Sequence, residues 1–114
     1  MSPLEYLRHM LDEAKYLLEV SEGHKKSDII HDETLKRAVV RSIEIIGEAT
    51  RKVPPDFRSK FPEIEWRAMA GMRDRLIHDY IGVDYDIVWD VIVGKIPALK
   101  FELEKIIQQE DNVQ

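Results

Sequence analysis

The sequence contains no cysteine, which excludes disulfide bonds and thiolate metal sites. No apolar run approaches the roughly 20 residues that a membrane-spanning helix needs. The N-terminus has neither a basic start nor an apolar core, so we do not expect it to be a signal peptide. Together these absences favour a protein of the reducing cytoplasm that has no membrane partner.

The sequence also lacks the common signatures of cofactor and metal sites. It has no glycine-rich phosphate loop, no HExxH motif and no acidic calcium loop. We therefore expect neither a cofactor nor a metal. Sustained alternation of apolar and polar residues is absent as well, so no β-strand is predicted.

The net charge of −5 over 114 residues argues against attraction of the whole surface to nucleic acid. The charge is nevertheless unevenly distributed, because residues 51–75 hold seven basic and four acidic side chains. This basic segment leads into residues 73–80, where most of the reactive side chains are concentrated. On charge alone, chance segregation on a solvated face explains the segment as well as a binding surface does.

Apolar periodicity predicts one all-α domain over residues 1–114, an up-and-down bundle of four helices. Pro97 is expected to kink or split the last helix, which would give a fifth. Residues 24–31 are expected to be a connection, with one short helical turn near residues 56–60. A polar tail from about residue 108 is expected to fray. The predicted helix starts are Ser2, Asp32 (or as early as Ser27), Pro62 or Trp66, and Asp84.

The first two helices carry the clearest apolar stripes. In the second helix, small residues at Ser42, Gly47 and Ala49 would permit close approach of a neighbouring helix. The predicted stripes contain Leu4, Leu7, Leu11, Ala14 and Leu18 in the first helix, and Leu35, Val39, Ser42, Ile46, Ala49 and Val53 in the second.

The same second helix carries two acidic residues one turn apart, Glu44 and Glu48. They are spaced as a carboxylate pair for acid–base or metal chemistry. They are also spaced for ion pairs, Glu44 with Arg41, and Glu48 with Arg51 or Lys52. We favour ion pairing as the interpretation.

Residues 73–80 combine two arginines, a histidine and a tyrosine. A histidine ordinarily titrates near pH ~6.5, so His78 can exchange a proton near neutrality, while Arg73 offers a forked positive charge to phosphate. Such a set suits metal-free transesterification of RNA, in which a base deprotonates the 2′-hydroxyl and a cation stabilises the charge on phosphorus. On the residues alone, the simpler explanation is that His78 and Tyr80 cap a helix C-terminus.

The third helix is expected to continue through His78 and to close at residues 79–82, so Asp74 and Arg75 would lie one turn before the histidine and would support it. Arg73 and His78 would then lie roughly 140° apart around the helix axis, so they would need a cleft to act on one phosphate. In-line cleavage also uses both a base and an acid. We therefore infer a homodimer with the site at its interface, where two copies of His78 would meet.

Arg73, His78 and Tyr80 match the Arg-x4-His-x-Tyr motif of the HepT-like proteins, a branch of the HEPN superfamily. Asp74 supplies the polar residue that follows the arginine in the wider superfamily. Residues 41–49, 61–66 and 84–99 also resemble the family, although Glu65 stands where the family often has proline. The resemblance covers nearly the whole chain and implies an all-helical HEPN fold and a homodimer.

The resemblance further implies a metal-independent RNase that is the toxin of a prokaryotic type VII toxin–antitoxin pair, with tRNA as the suggested RNA substrate. By position, Arg73 and His78 would be catalytic. The antitoxin would be a small MNT-type nucleotidyltransferase that transfers AMP to Tyr80 and thereby silences the toxin. The alternative is a non-catalytic HEPN subunit that docks such a nucleotidyltransferase.

Overall fold

The computed structural model describes residues 1–78 and 82–113, of which residues 77, 78 and 113 are described by their backbone alone. This part of the chain is an all-α bundle, which confirms the predicted fold class, with one small antiparallel hairpin. Its elements are α1 (Pro3–Gly23), α2 (Lys26–His31), α3 (Glu33–Lys52), α4 (Pro55–Ser59), α5 (Trp66–Ala70), α6 (Met72–Leu76), β1 (Ile77–His78), β2 (Gly82–Val83), α7 (Tyr85–Gly94) and α8 (Ile96–Val113).

Three of the predicted helix starts, at Ser2, Asp32 and Asp84, are confirmed by their capping contacts. Ser2 and Glu5 form a capping box at α1, in which each side chain accepts a hydrogen bond from the backbone N–H of the other. Asp32 and Asp84 accept hydrogen bonds from first-turn N–H groups of α3 and α7, at 2.9 to 3.2 Å. Trp66 is the first residue of α5, so the later of the two proposed starts is correct.

The core forms where α1 packs against both α3 and α8. The buried stripe of α1 is rotated slightly from the predicted one, because Leu11 and Leu18 are only half-buried at its edge. The positions of α3 and α8 determine which face of α1 is buried, and the sequence of α1 alone does not specify these positions. The buried residues of α1 are Leu4, Leu7, Met10, Ala14, Leu17 and Val20.

Small residues on α3 allow the expected close helix contacts. A Cβ atom added to Gly47 would lie 3.4 Å from the carbonyl oxygen of Met69, so the backbone of α5 passes directly over this glycine. On the other side of α3, Ser42 Oγ donates a hydrogen bond to the carbonyl oxygen of Glu13, at 3.2 Å. The small side chains thus set the distance from α3 to α1 and to α5.

The segment before α3 is more ordered than predicted. Residues 24–31, which we expected to be a connection, contain the short helix α2. Ile29 is buried in the core, and Lys26 forms an ion pair with Asp86 at the start of α7. The hydrogen bond that Lys26 donates to the Asp86 carboxylate raises the pKa of Lys26 above its usual value. The residues of α7 that make this contact are far from α2 in the sequence, so local patterns do not indicate it.

The C-terminal region confirms one prediction and corrects another. The last predicted helix is split near Pro97 as expected: α7 ends at Gly94 and α8 begins at Ile96. Pro97 lies in the first turn of α8, where its missing N–H has no intrahelical partner to lose. The prediction of a fraying tail from residue 108 is wrong, since α8 continues to Val113. Asp111 Oδ1 lies 2.7 Å from Arg8 Nη2, which ties this tail to α1.

Within residues 1–78 and 82–113, no helix combines the length and apolarity that a membrane crossing requires.

Candidate functional site

The residues singled out by the sequence lie on and after a broken helix. α5 ends at Ala70 and α6 begins at Met72, with the Gly71 N–H bonded to the carbonyl oxygen of Arg67, at 3.1 Å. α6 then ends at Leu76. The prediction of one continuous helix through His78 is therefore wrong.

A short hairpin replaces the end of the expected helix. Ile77 pairs with Val83 and His78 pairs with Gly82, while the Asp84 N–H donates to the carbonyl oxygen of Leu76, at 2.9 Å. Gly82 has a φ of 101°, in the left-handed region that favours glycine. The prediction that this region contains no strand is thus also wrong. A two-residue strand is too short to show the alternation from which strands are predicted.

The hairpin removes the premise of our helical geometry at the site. His78 lies in an extended strand, so the one-turn spacing that would place Asp74 and Arg75 beside it does not apply. The expected separation of Arg73 and His78 around one helix axis does not apply either. The supporting roles of Asp74 and Arg75 stay predictions.

Arg73 is held by an acidic residue from another helix. Its Nε atom donates a hydrogen bond to Glu44 Oε2, at 3.1 Å, which joins α6 to the middle of α3. Arg73 Nη1 also lies 3.9 Å from Asp74 Oδ1. The Arg73 side chain is 48% exposed and that of Glu44 only 23%, so the carboxylate is the more sheltered member of the pair. The terminal Nη groups of Arg73 keep donors that suit phosphate oxygens.

The acidic residues of α3 have different partners from those we expected. Glu48 pairs with Arg41, two turns earlier, at 3.3 Å, and Glu44 pairs with Arg73. Arg51 pairs with Asp74 of α6, at 3.5 Å. The predicted Glu44–Arg41 and Glu48–Arg51 pairs are therefore wrong, because α6 packs on this face of α3 and competes for its charges. The role of Glu44 beside Arg73 was missed, since no local spacing indicates it.

The structure places the predicted site residues unequally. Arg73, Asp74 and Arg75 are exposed side chains on α6. His78 is described by its backbone, two residues after α6, and Tyr80 lies outside the described residues. The structure thus brings Arg73 together with Glu44 and Asp74. In the part of the chain that it describes, no three His, Asp or Glu side chains are grouped to hold a metal ion.

Comparison with known proteins gives consistent matches along the chain. A sequence model of the family described as "Ribonuclease HepT-like" matches residues 10–106. A candidate RNase of Caldanaerobacter subterraneus is 45% identical over 109 residues, covering 96% of this chain and 97% of its own. A candidate RNase of Methanocaldococcus jannaschii is 42% identical over 90% of this chain and 85% of its own. A "Probable ribonuclease HepT" of Thermococcus cleftensis is 40% identical over 90% of this chain and 93% of its own. No solved structure gives a significant match.

Proposed function

Because the chain belongs to the HepT-like ribonuclease family, we propose that it is a metal-independent RNase, the toxin of a prokaryotic type VII toxin–antitoxin system. The observation that carries this proposal is the complete Arg-x4-His-x-Tyr motif at Arg73, His78 and Tyr80, inside the matched residues. The proposed substrate is RNA, with tRNA as the first class to test.

In the proposed reaction, the 2′-oxygen of a ribose attacks the adjacent phosphorus. The His78 imidazole accepts the 2′-hydroxyl proton, and the P–O5′ bond breaks as the new P–O2′ bond forms. The Arg73 guanidinium stabilises the negative charge that builds up on the non-bridging oxygens. The leaving 5′-oxygen takes up a proton, which gives a 2′,3′-cyclic phosphate and a 5′-hydroxyl. Glu44 supports this role by holding the Nε edge of Arg73.

We propose that the protein acts as a homodimer, in which the second copy supplies the acid that protonates the leaving oxygen. One chain offers a single histidine near Arg73, whereas two copies bring two. Two large apolar side chains, Val93 on α7 and Phe101 on α8, are 46% and 64% exposed in the isolated chain. These are the apolar side chains that we propose the second copy covers.

Substitution of the two proposed catalytic residues tests the activity. We expect Arg73→Ala and His78→Ala each to reduce RNA cleavage by about 10²-fold or more, in buffer that contains EDTA. Arg37→Ala removes an exposed arginine near the start of α3, and this variant should cleave RNA like the wild type. Circular dichroism should show that all three variants keep their helices. Cleavage that survives both catalytic substitutions would contradict the proposal. A wild-type protein that binds the nucleotidyltransferase but cleaves no RNA would favour the non-catalytic alternative.

We propose that Tyr80 is the control point of the toxin, adenylylated by an MNT-type nucleotidyltransferase antitoxin. An adenylyl group would add negative charge and bulk two residues after His78, where RNA phosphate must bind. We expect co-expression with the antitoxin to raise the intact mass by adenylyl groups, and Tyr80→Phe to abolish the increase. Tyr85→Phe, which removes a nearby phenol on α7, is the matched control and should keep it. Adenylylation that persists in Tyr80→Phe would show that another residue is modified.

A further inference from the structure

The basic side chains of residues 51–75 differ from those in the rest of the chain. Within the described residues, ion pairs engage ten of the 17 lysines and arginines. Outside residues 51–75, Lys15 and Lys25 alone have no such partner there. The other five all lie in this segment, so its positive charge is the least neutralised on the described surface. These five are Lys52, Arg58, Lys60, Arg67 and Arg75.

Two of these arginines line one open groove. The groove runs beside α4 and α5 and has a volume of about 600 Å³. Among the residues that the structure describes, Arg58 and Arg67 are the only charged ones in its lining, and none in that lining is acidic. Much of the remaining lining is apolar and includes Pro62, Ile64 and Trp66. The groove therefore combines two positive charges with an apolar surface.

The walls of this groove are fixed by hydrogen bonds. Arg58 Nε donates to the carbonyl oxygen of Val53, at 2.8 Å, which anchors the guanidinium and leaves its terminal Nη groups for another acceptor. Trp66 is buried, and its Nε1 donates to the carbonyl oxygen of Phe61, at 2.9 Å. Arg67 is exposed in the only turn of α5. A ligand would thus meet a site that is largely formed in advance, which lowers the entropic cost of binding.

The groove lies close in sequence to the proposed catalytic residues. α5, which carries Arg67, leads across Gly71 into α6, which carries Arg73. The Arg51–Asp74 ion pair joins the C-terminal end of α3 to α6. A strand bound in the groove would reach Arg73 by following α5 into α6.

We propose that this groove binds the phosphate backbone of single-stranded RNA beside the scissile phosphate, with Arg58 and Arg67 as phosphate ligands. The inference rests on the proposed ribonuclease function. Charge complementarity selects the ligand, because two guanidinium groups without a neighbouring carboxylate suit a polyanion. The apolar lining suits the riboses and base faces of a single strand, whose bases are free to leave a stack. A protein partner would have less need of two unneutralised arginines.

The salt dependence of RNA binding tests the groove. In a His78→Ala background, which is expected not to degrade the probe, the affinity for a short single-stranded RNA is measured by fluorescence anisotropy at several salt concentrations. We expect Arg67→Gln to weaken binding about tenfold at low salt. It should also reduce the slope of log K against log salt by about 0.7, the value for one phosphate contact on a single strand. Adding Arg58→Gln should reduce the slope by about 0.7 more.

Arg37→Gln is the matched control, because Arg37 is 83% exposed but lies near the start of α3, away from the groove. It should leave the slope unchanged. If Arg67→Gln keeps the slope of its His78→Ala parent while the wild type cleaves RNA, the groove does not bind RNA. The proposed function then stands. A wild type that neither binds nor cleaves RNA would overturn both. Loss of nucleotidyltransferase binding in Arg67→Gln, with unchanged RNA binding, would make the groove a protein interface instead.

Discussion

At the scale of single residues, the contact between Glu44 and Arg73 has the clearest consequence for function. An ion pair in which one member is 48% exposed contributes little to stability, about 0 to 1 kcal/mol. Its geometry matters more than its energy. A carboxylate on the Nε edge restricts the plane of the guanidinium and leaves the Nη groups for phosphate. Glu44 is therefore expected to position the arginine rather than to stabilise the fold.

Removal of this carboxylate should slow RNA cleavage without unfolding the protein. We expect Glu44→Ala to lower kcat about tenfold, since Arg73 loses its fixed orientation, and Glu44→Gln to lower it less because the amide oxygen still accepts a hydrogen bond. The thermal midpoint should change little in either variant. The measurement is steady-state cleavage of a labelled RNA at saturating substrate.

Glu48→Ala provides the control for this experiment. Glu48 lies one turn from Glu44 on the same helix and pairs with Arg41 instead of Arg73. Its substitution removes an exposed ion pair of the same kind and should leave kcat at the wild-type value. Equal rates in Glu44→Ala and the wild type would show that Arg73 needs no positioning from α3.

At the scale of elements, the hairpin after α6 determines the backbone conformation of His78. The strand pairing places His78 opposite Gly82, and the Asp84 N–H closes the structure onto Leu76 at the end of α6. Gly82 adopts a positive φ of 101°, which an L side chain rarely does. The backbone position of the proposed general base thus depends on a glycine four residues away.

Alanine at this glycine should strain the hairpin. We expect Gly82→Ala to lower the free energy of unfolding by about 1 to 2 kcal/mol, measured by urea denaturation, and to reduce RNA cleavage at temperatures where the protein stays folded. Gly94→Ala is the control, because that glycine ends α7 without a positive φ, and an added Cβ meets nothing within 4 Å. It should be neutral or stabilise slightly. A Gly82→Ala variant as stable and active as the wild type would contradict the dependence of His78 on this turn.

At the scale of the whole molecule, the bundle leaves two large apolar side chains, Val93 and Phe101, exposed on its C-terminal helices. Phe101 is 64% exposed on α8, although the neighbouring Leu99 and Leu103 are buried in the core. The bundle is therefore complete without Phe101. Exposure of an apolar side chain of this size to water is unfavourable, and a second copy of the chain offers a way to bury it.

Substitution of this phenylalanine should weaken the proposed homodimer. We expect the wild type to show about twice the chain mass of 13.4 kDa in light scattering, and Phe101→Ser to shift towards one chain at micromolar concentration. Gln108→Ser, an exposed polar position on the same helix, should remain dimeric. RNA cleavage by Phe101→Ser should fall together with the dimer fraction. A wild type with the mass of one chain would contradict the dimer.

Local patterns in the sequence determined the positions of the main helices. The caps at Ser2, Asp32 and Asp84 act within one turn, and the break near Pro97 follows from the ring and missing N–H of one residue. The all-α class followed from apolar periodicity, because a helix that buries one face has apolar residues that recur at the helical period. The motif at residues 73–80 was also visible, because it is a spacing along the chain.

Only the tertiary structure decided how these elements meet at the candidate site. The pairing of Glu44 with Arg73 joins residues 29 positions apart, and it displaced the local pair that helix spacing predicted. The end of α6 at Leu76 depends on backbone pairing with Gly82 and Val83, which follow it in sequence. The groove at Arg58 and Arg67 is lined by residues of α4, of the segment that follows it and of α5. Each of these features depends on contacts between separate elements, and such contacts leave no periodic signal in the sequence.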